Sequence, residues 1–241
     1  MLYFPNHLLV ETSLSWQLVK RSTLPPGQTG AGFIPFAETS GGGLWRAELN
    51  SIPIRNKNQV LTWRALEAVL DGGASQIVVP LCDKRYFPAP PIGVSYPQIP
   101  HDDDAMHDDG AGYYQAVVTA SLAQGAPLRA TEIVVTMVSG AAPQAGQMFS
   151  ITHPNMRERA YVIASATDDG VLTIRPPLRE AVEAGEAINF DCPSCVMQIA
   201  TPENLKLTLS LRKFGSPSAV FLESFDPAML NGTRRVTLPG A

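Results

Sequence analysis

Residues 146–191 read GQMFSITHPNMRERAYVIASATDDGVLTIRPPLREAVEAGEAINFD, and the regular spacing of short strands in that stretch decides the fold. GQMFSITH (146–153), RAYVIASA (159–166) and GVLTIRP (170–176) read as short strands. EAINFD (186–191) adds a shorter one. Turn formers stand between them, with Asp169–Gly170 the pair expected in a two-residue type I′ hairpin turn. Upstream, YYQAVVTASL (113–122) and ATEIVVTMV (130–138) have the same character. Five or six short strands at this spacing predict a small β-barrel or sandwich over residues 110–192.

The flanks differ from this middle block. SLSWQLV (13–19) alternates, with Leu14, Trp16 and Leu18 on one side, and LWRAELNSIPI (44–54) places Trp45, Ala47 and Leu49 on one face. NQVLTWRALEAVLDGG (58–73) is the single convincing helix. Asn56 or Asn58 serves as its cap, Val60, Trp63, Leu66, Val69 and Leu70 form its apolar stripe, and Gly72 and Gly73 stop it. QIVVPL (76–81) is a short buried strand closed by Pro80. After the middle block come VMQIA (196–200), LKLTLSLRKF (205–214) and SAVFLESF (218–225), which read as longer strands. Residues 88–112 hold five prolines and the acidic run HDDDAMHDDGAG, and are read as a boundary rather than an element. The chain is therefore expected to be mainly β with one α-helix. A first domain runs over residues 1–109 and returns over 193–241, interrupted by the inserted barrel or sandwich.

Composition narrows the class. The 241 residues include 21 Pro and 19 Gly, too many helix breakers for a bundle or coiled coil. Only 17% are charged, against about 25% in an average soluble domain. A net charge of −4 with scattered basic pairs lacks the concentrated basic face of a duplex-binding protein. The first residues lack the basic start and apolar run of a signal peptide, and no apolar stretch approaches the length of a membrane span. The three cysteines, Cys82, Cys192 and Cys195, are too few and odd in number for a disulfide scaffold, so a reducing cytoplasm is the expected folding compartment.

Candidate chemistry is sparse. His101, Asp102, Asp103, Asp104, His107, Asp108 and Asp109 gather metal-type ligands, but without the alternating ligand positions and sixth-place glycine of a calcium loop. A solvated, self-repelling loop is the plainer reading. Cys192 and Cys195 have redox-motif spacing without the strand-to-helix context that motif needs, so they are read as two half-buried thiols. The glycine-rich residues 25–43 do not end in the lysine and hydroxyl pair of a phosphate loop. Of His7, His101, His107 and His153, none pairs with an evident nucleophile, and His153 in THPNM reads as a turn residue. Trp16, Trp45 and Trp63, like Phe149, Tyr161 and Phe190, fall on apolar faces and are expected in cores. No catalytic, cofactor or metal residue is assigned, and an enzyme is not expected.

The organisation as a whole resembles the distal tail proteins of long-tailed bacteriophages and gene transfer particles. The likeness rests on LWRAELNSIPI, NQVLTWRALEAVLDGG, the middle block from GQMFSI to AINFD, and the closing SAVFLESF. It implies a virion protein of the tail tip, made in the host cytoplasm. It further implies an oligomeric, usually six-membered ring that joins the tail tube to the hub or baseplate and has no activity of its own. In such a ring a net negative charge would let DNA pass through the lumen without sticking. Specific nucleic-acid binding and membrane insertion are not expected. The alternative is a carbohydrate-binding or receptor-binding module of a surface or tail protein.

Overall fold

The computed structural model describes residues 2–19, 42–81, 86–89, 98–99, 113–114, 118–201, 205–210 and 214–225. Thirteen strands and one α-helix are present among them. The protein is mainly β, with a closed six-stranded barrel and a separate five-stranded sheet. The chain divides into two units. The first comprises Met1–Pro80, His153–Arg159 and Ser194–Ala241; the second comprises Leu81–Thr152 and Ala160–Pro193.

In the first unit, β1 (Ser13–Val19) and β2 (Leu44–Asn50) pair in antiparallel register from Ser13–Asn50 to Val19–Leu44. The alternation read in β2 is fully expressed, with Trp45, Ala47 and Leu49 all buried. Helix α1 (Lys57–Leu70) follows. Its cap is Asn56, whose Oδ1 accepts from Gln59 N at 2.9 Å, while Gln59 Oε1 reaches back to accept from Arg55 N at 2.8 Å. Two otherwise orphaned backbone donors are thus satisfied at one helix end. Trp63, Leu66 and Leu70 are buried as expected, but Thr62 takes a buried place while Val60 and Val69 are only half-buried. Trp63 Nε1 donates to Leu205 O at 2.8 Å, so its polar edge is satisfied inside the core. The helix ends at Asp71, itself left-handed at φ 43°, and a single 3-10 turn over Asp71–Gly73 leads to β3 (Ile77–Pro80).

The sheet is completed by strands from the far side of the insertion. Its order is β1-β2-β13-β12-β3, where β12 is Ser194–Ile199 and β13 is Ala219–Glu223. The outer edge of β3 is covered by the first residues of the chain. Tyr3 makes a parallel bridge to Val78, Phe4 N donates to Val78 O, and Val78 N donates to Leu2 O.

The second unit contains most of the barrel, whose strand order is β10-β7-β6-β11-β8-β9. These strands are β6 (Thr119–Leu122), β7 (Glu132–Ser139), β8 (Met148–His153), β9 (Arg157–Ala166), β10 (Val171–Arg175) and β11 (Ala187–Asn189). Register shifts at Thr119/Ala120 and Thr173/Ile174 mark irregularities that help a sheet curl. Phe149, Tyr161 and Phe190 form the centre of the core, with ring centroids 5.5 Å apart in both contacts of Phe149.

The second unit takes in residues from Leu81, and among them Phe87 packs against the barrel core and Ala141 N donates to Pro88 O at 3.0 Å. Several expectations about elements are corrected. β4 (Gln98–Ile99) lies within the stretch read as carrying no element, and it pairs with β5 (Tyr113–Tyr114). LKLTLSLRKF supplies no strand among its described residues: Leu205, Leu207 and Leu209 do turn inward, but no partner strand runs beside them. The hairpin after β9 is not type I′. Asp168 and Asp169 sit at the centre of a turn closed by Gly170 N donating to Thr167 O, and only Gly170 is left-handed, at φ 78°. That is the longer, three-residue hairpin loop, in which the left-handed position follows the turn.

Gly170 is constrained twice, since a Cβ there would lie 2.6 Å from Val135 O. Gly146, also left-handed at φ 90°, would meet nothing within 4 Å. Gly146→Ala should cost about 1 kcal/mol from backbone strain alone. Gly170→Ala should cost at least twice as much, because backbone must move. Urea denaturation of both variants measures the difference, and equal losses would contradict the close approach.

Candidate functional site

Burial of charge is the rarest event in a fold, so the search for a site begins with the charged side chains that water does not reach. In the first unit Arg159 and Glu223 are both fully buried. β13 alternates, and its inward positions are Ala219, Phe221 and Glu223; the strand period itself turns the carboxylate into the core. Arg159 Nη1 lies 3.5 Å from Glu223 Oε1 and donates to Ser224 O at 2.8 Å, while its Nε donates to Met156 O at 2.7 Å. Its guanidinium also stacks 4.6 Å over the ring of Phe225. Glu223 Oε2 accepts from Trp45 N at 3.2 Å. Beside the pair, Gln76 Nε2 donates to Ser224 Oγ at 2.7 Å, and Ser224 Oγ donates to Gln198 Oε1 at 3.1 Å.

Arg159, Glu223, Ser224 and Gln76 are all buried, and their polar atoms are turned on one another. The guanidinium is held by a carboxylate and two backbone carbonyls, which makes it an anchor for the segment His153–Arg159 rather than a reactive group. Removing one member of a fully buried pair leaves the other uncompensated, whereas removing both is far less costly.

Nearer the surface of the same unit, half-exposed Tyr3 donates its hydroxyl to Glu158 Oε1. Partial burial disfavours the phenolate, and the bond to Glu158 together with its negative charge pushes the same way. The Tyr3 pKa is pushed up to about 12.

In the second unit an open groove of about 480 Å³ lies between residues 86–89 and the loop before β8. Tyr86, Phe87, Pro88, Ala142, Gln144 and Gln147 are among its lining residues. Gln147 Oε1 accepts from Gln144 N at 2.8 Å, which fixes one amide in the wall. Among the described residues the lining supplies backbone, aromatic and amide groups, which offer shape and hydrogen bonds.

The candidates read from the sequence fare unequally. His101, Asp102, Asp103, Asp104, His107, Asp108 and Asp109 lie outside the described residues, as do residues 25–41 of the glycine-rich stretch. Among the described residues, no three His, Cys, Asp or Glu side chains form a metal position, and no helix is long and apolar enough to cross a membrane. His7 sits exposed in a turn. His153 is not a turn residue: it ends β8 and is buried. Phe149, Tyr161, Phe190, Trp45 and Trp63 are core residues, and Trp16 packs half-buried against Trp45 at 5.9 Å. The reading of two half-buried thiols fails, because Cys192 is disulfide-bonded and Cys195 is fully buried. Arg159 was missed altogether. In RERAYVIASA it looks like one more solvated charge, and the only clue was its position in the alternation, two before Tyr161 on the inward face.

No protein-family model matches this chain, and a search of curated proteins finds no match either.

Two outcomes follow from the charged cluster and its neighbour. Arg159→Ala should destabilise the protein by about 3–5 kcal/mol, and Arg159→Met combined with Glu223→Leu by clearly less than either single change, measured by chemical denaturation. For Tyr3 the folded pKa lies above the unfolded value of 10, so its contribution to stability is complete below pH 10 and is lost as the pH rises towards 12. Ultraviolet titration against a Tyr3→Phe control reads this directly, and Glu158→Gln should move the transition down towards 10.

Proposed function

We propose that this chain is a structural virion protein of a phage tail tip, a subunit of a hexameric ring that joins the tail tube to the hub or baseplate. The observation that carries the reading is the interrupted architecture. A five-stranded sheet is built from both flanks of the chain, and a closed barrel is inserted between them. This is the organisation that the resemblance to distal tail proteins implies: a ring-forming β domain bearing a peripheral small β domain. The low charge content supports it too, since a subunit with extensive neighbour contacts has less surface to keep solvated. The absence of a reactive cluster among the described residues is compatible with a scaffold role.

Light scattering and negative-stain imaging of the purified protein test the proposal. A six-membered ring, with the same chain detected in purified particles, is the expected outcome. A strict monomer that is missing from particles would falsify it.

A second reading, carbohydrate binding by the barrel unit, has one observation in its favour. Tyr86 is 66% exposed at the rim of a groove that also presents Gln144 and Gln147, and an aromatic face beside amides suits a sugar ring. A glycan array would show binding that Tyr86→Ala removes; an array without signal removes the reading.

A further inference from the structure

We propose that copies of this chain associate head to tail, the basic sheet unit of one copy against the acidic barrel unit of the next, and that this contact is the one repeated around the ring. The existence of a ring rests on the tail-tip reading above, while the sign of the contact comes from how charge is divided along the chain. The sequence has 22 Asp and Glu and 18 Lys and Arg. The unit that contains most of the barrel, Leu81–Thr152 with Ala160–Pro193, holds 13 of the first kind and 5 of the second. The unit built on the sheet keeps the other 9 and 13. Their formal charges are therefore −8 and +4, and the modest net charge of −4 is the difference between two bodies of opposite sign.

Exposed side chains follow the same division. On the sheet unit Arg55, Lys57 and Arg64 are exposed along the first half of α1, and that helix has no acidic residue in its first turn. On the barrel unit the exposed carboxylates include Glu132 at the start of β7, Asp168 and Asp169 in the turn after β9, and Glu183 in the loop before β11. None of these side chains makes an ion pair among the described residues, whereas Arg46 is bridged to Glu48 and Arg159 to Glu223. The charge left uncompensated on each unit acts on whatever approaches from outside.

Charge of one sign gathered on one body steers association and selects its orientation. Two copies can meet in three ways. Barrel against barrel sets −8 on −8, and sheet against sheet sets +4 on +4; only sheet against barrel is attractive. That contact uses a different surface on each partner, so it is heterologous, and a heterologous contact repeated by a closing rotation generates a ring. A self-complementary pair, which would stop at a dimer, is the arrangement that the charges oppose. The attraction is short in range, since the Debye length at physiological ionic strength is about 8 Å. Charge thus chooses which surfaces meet, and close packing fixes how they sit.

Sedimentation velocity of the full-length protein tests this with two charge-reversed variants. One carries Arg55→Glu, Lys57→Glu and Arg64→Glu, which takes the sheet unit from +4 to −2. The other carries Glu132→Lys, Asp168→Lys, Asp169→Lys, Glu183→Lys and Glu186→Lys, which takes the barrel unit from −8 to +2. These positions are exposed, or half-exposed at Glu186, and circular dichroism checks that each variant is folded. At about 0.01 M salt, where the Debye length is about 30 Å, neither variant should assemble alone, because its two units now share one sign. An equimolar mixture should assemble in alternation, because each altered surface meets its opposite on the other variant. The wild type should lose at least about tenfold in association constant between about 0.01 M and about 1 M salt. Normal assembly of either variant alone, or a mixture of folded variants that stays monomeric, would overturn the proposal. A wild-type ring indifferent to salt and to both sets of substitutions removes the head-to-tail contact and leaves the tail-tip reading standing. Open chains that the mixture restores keep the contact and remove the ring, and a wild type monomeric at every salt concentration removes both. If a variant does not fold, the salt dependence of the wild type decides alone.

Discussion

The structure depends on a short antiparallel ladder between β3 and β12, four residue pairs from Ile77–Met197 to Pro80–Ser194. It joins pieces of chain that lie on opposite sides of the insertion. Val78 and Val196, directly opposite each other, are fully buried and form an apolar pair of their own. Every other pairing in the sheet follows from this one. β13 adds to β12, β2 adds to β13, and β1 adds to β2. The loop that must close before the ladder can form contains the whole barrel, and the entropy of closure grows only slowly with loop length. A barrel already folded shortens the effective loop further, because its own first and last segments are brought close. The Cys192 disulfide, the Asn189 side chain and the bond from Leu81 to Pro193 all concentrate at this crossing.

The two units are held by different physics. The barrel core is a continuous apolar cluster centred on Phe149, Tyr161 and Phe190, with the Tyr161 hydroxyl satisfied by Arg179 N at 3.0 Å. The first unit includes a polar knot in its interior, where Arg159, Glu223, Ser224, Gln76 and Gln198 are linked by hydrogen bonds. Apolar packing tolerates exchange of one shape for another of similar volume, while a buried charge demands one particular partner in one particular place. The knot thus adds geometric requirements to a sheet that apolar contacts alone would define more loosely.

Much of the fold was legible because its signals are local. The alternation in β2, the Asn56 cap, the Gly72–Gly73 stop and the short strands from β6 to β11 each declare themselves within a few residues. What was not legible depends on a distant partner. LKLTLSL alternates as well as any strand here, yet a ladder needs a neighbour, and residues 206–210 have only a one-sided burial pattern. The turn after β9 turned on which residue is left-handed, and Asp169–Gly170 is compatible with two hairpin types. Arg159 reads as solvated because the carboxylate that holds it is 64 residues away. The cysteine reading went astray for a similar reason. Counting thiols is a statement about composition, whereas the burial of Cys195 depends on where β12 lies in the sheet. For the function, the sequence offered an organisation and no reactive constellation, and the cluster that the fold does assemble is structural.

The covering of β3 by Leu2, Tyr3 and Phe4 bears on how sheets of this kind can multiply. One margin is sealed by the chain's own first residues, and only the β1 margin lacks a partner strand among the described residues. A second chain that would extend the sheet at β3 must first displace Leu2 and Phe4 from their backbone bonds to Val78. The few residues at the start of the chain act in this sense as a stop against runaway β-association.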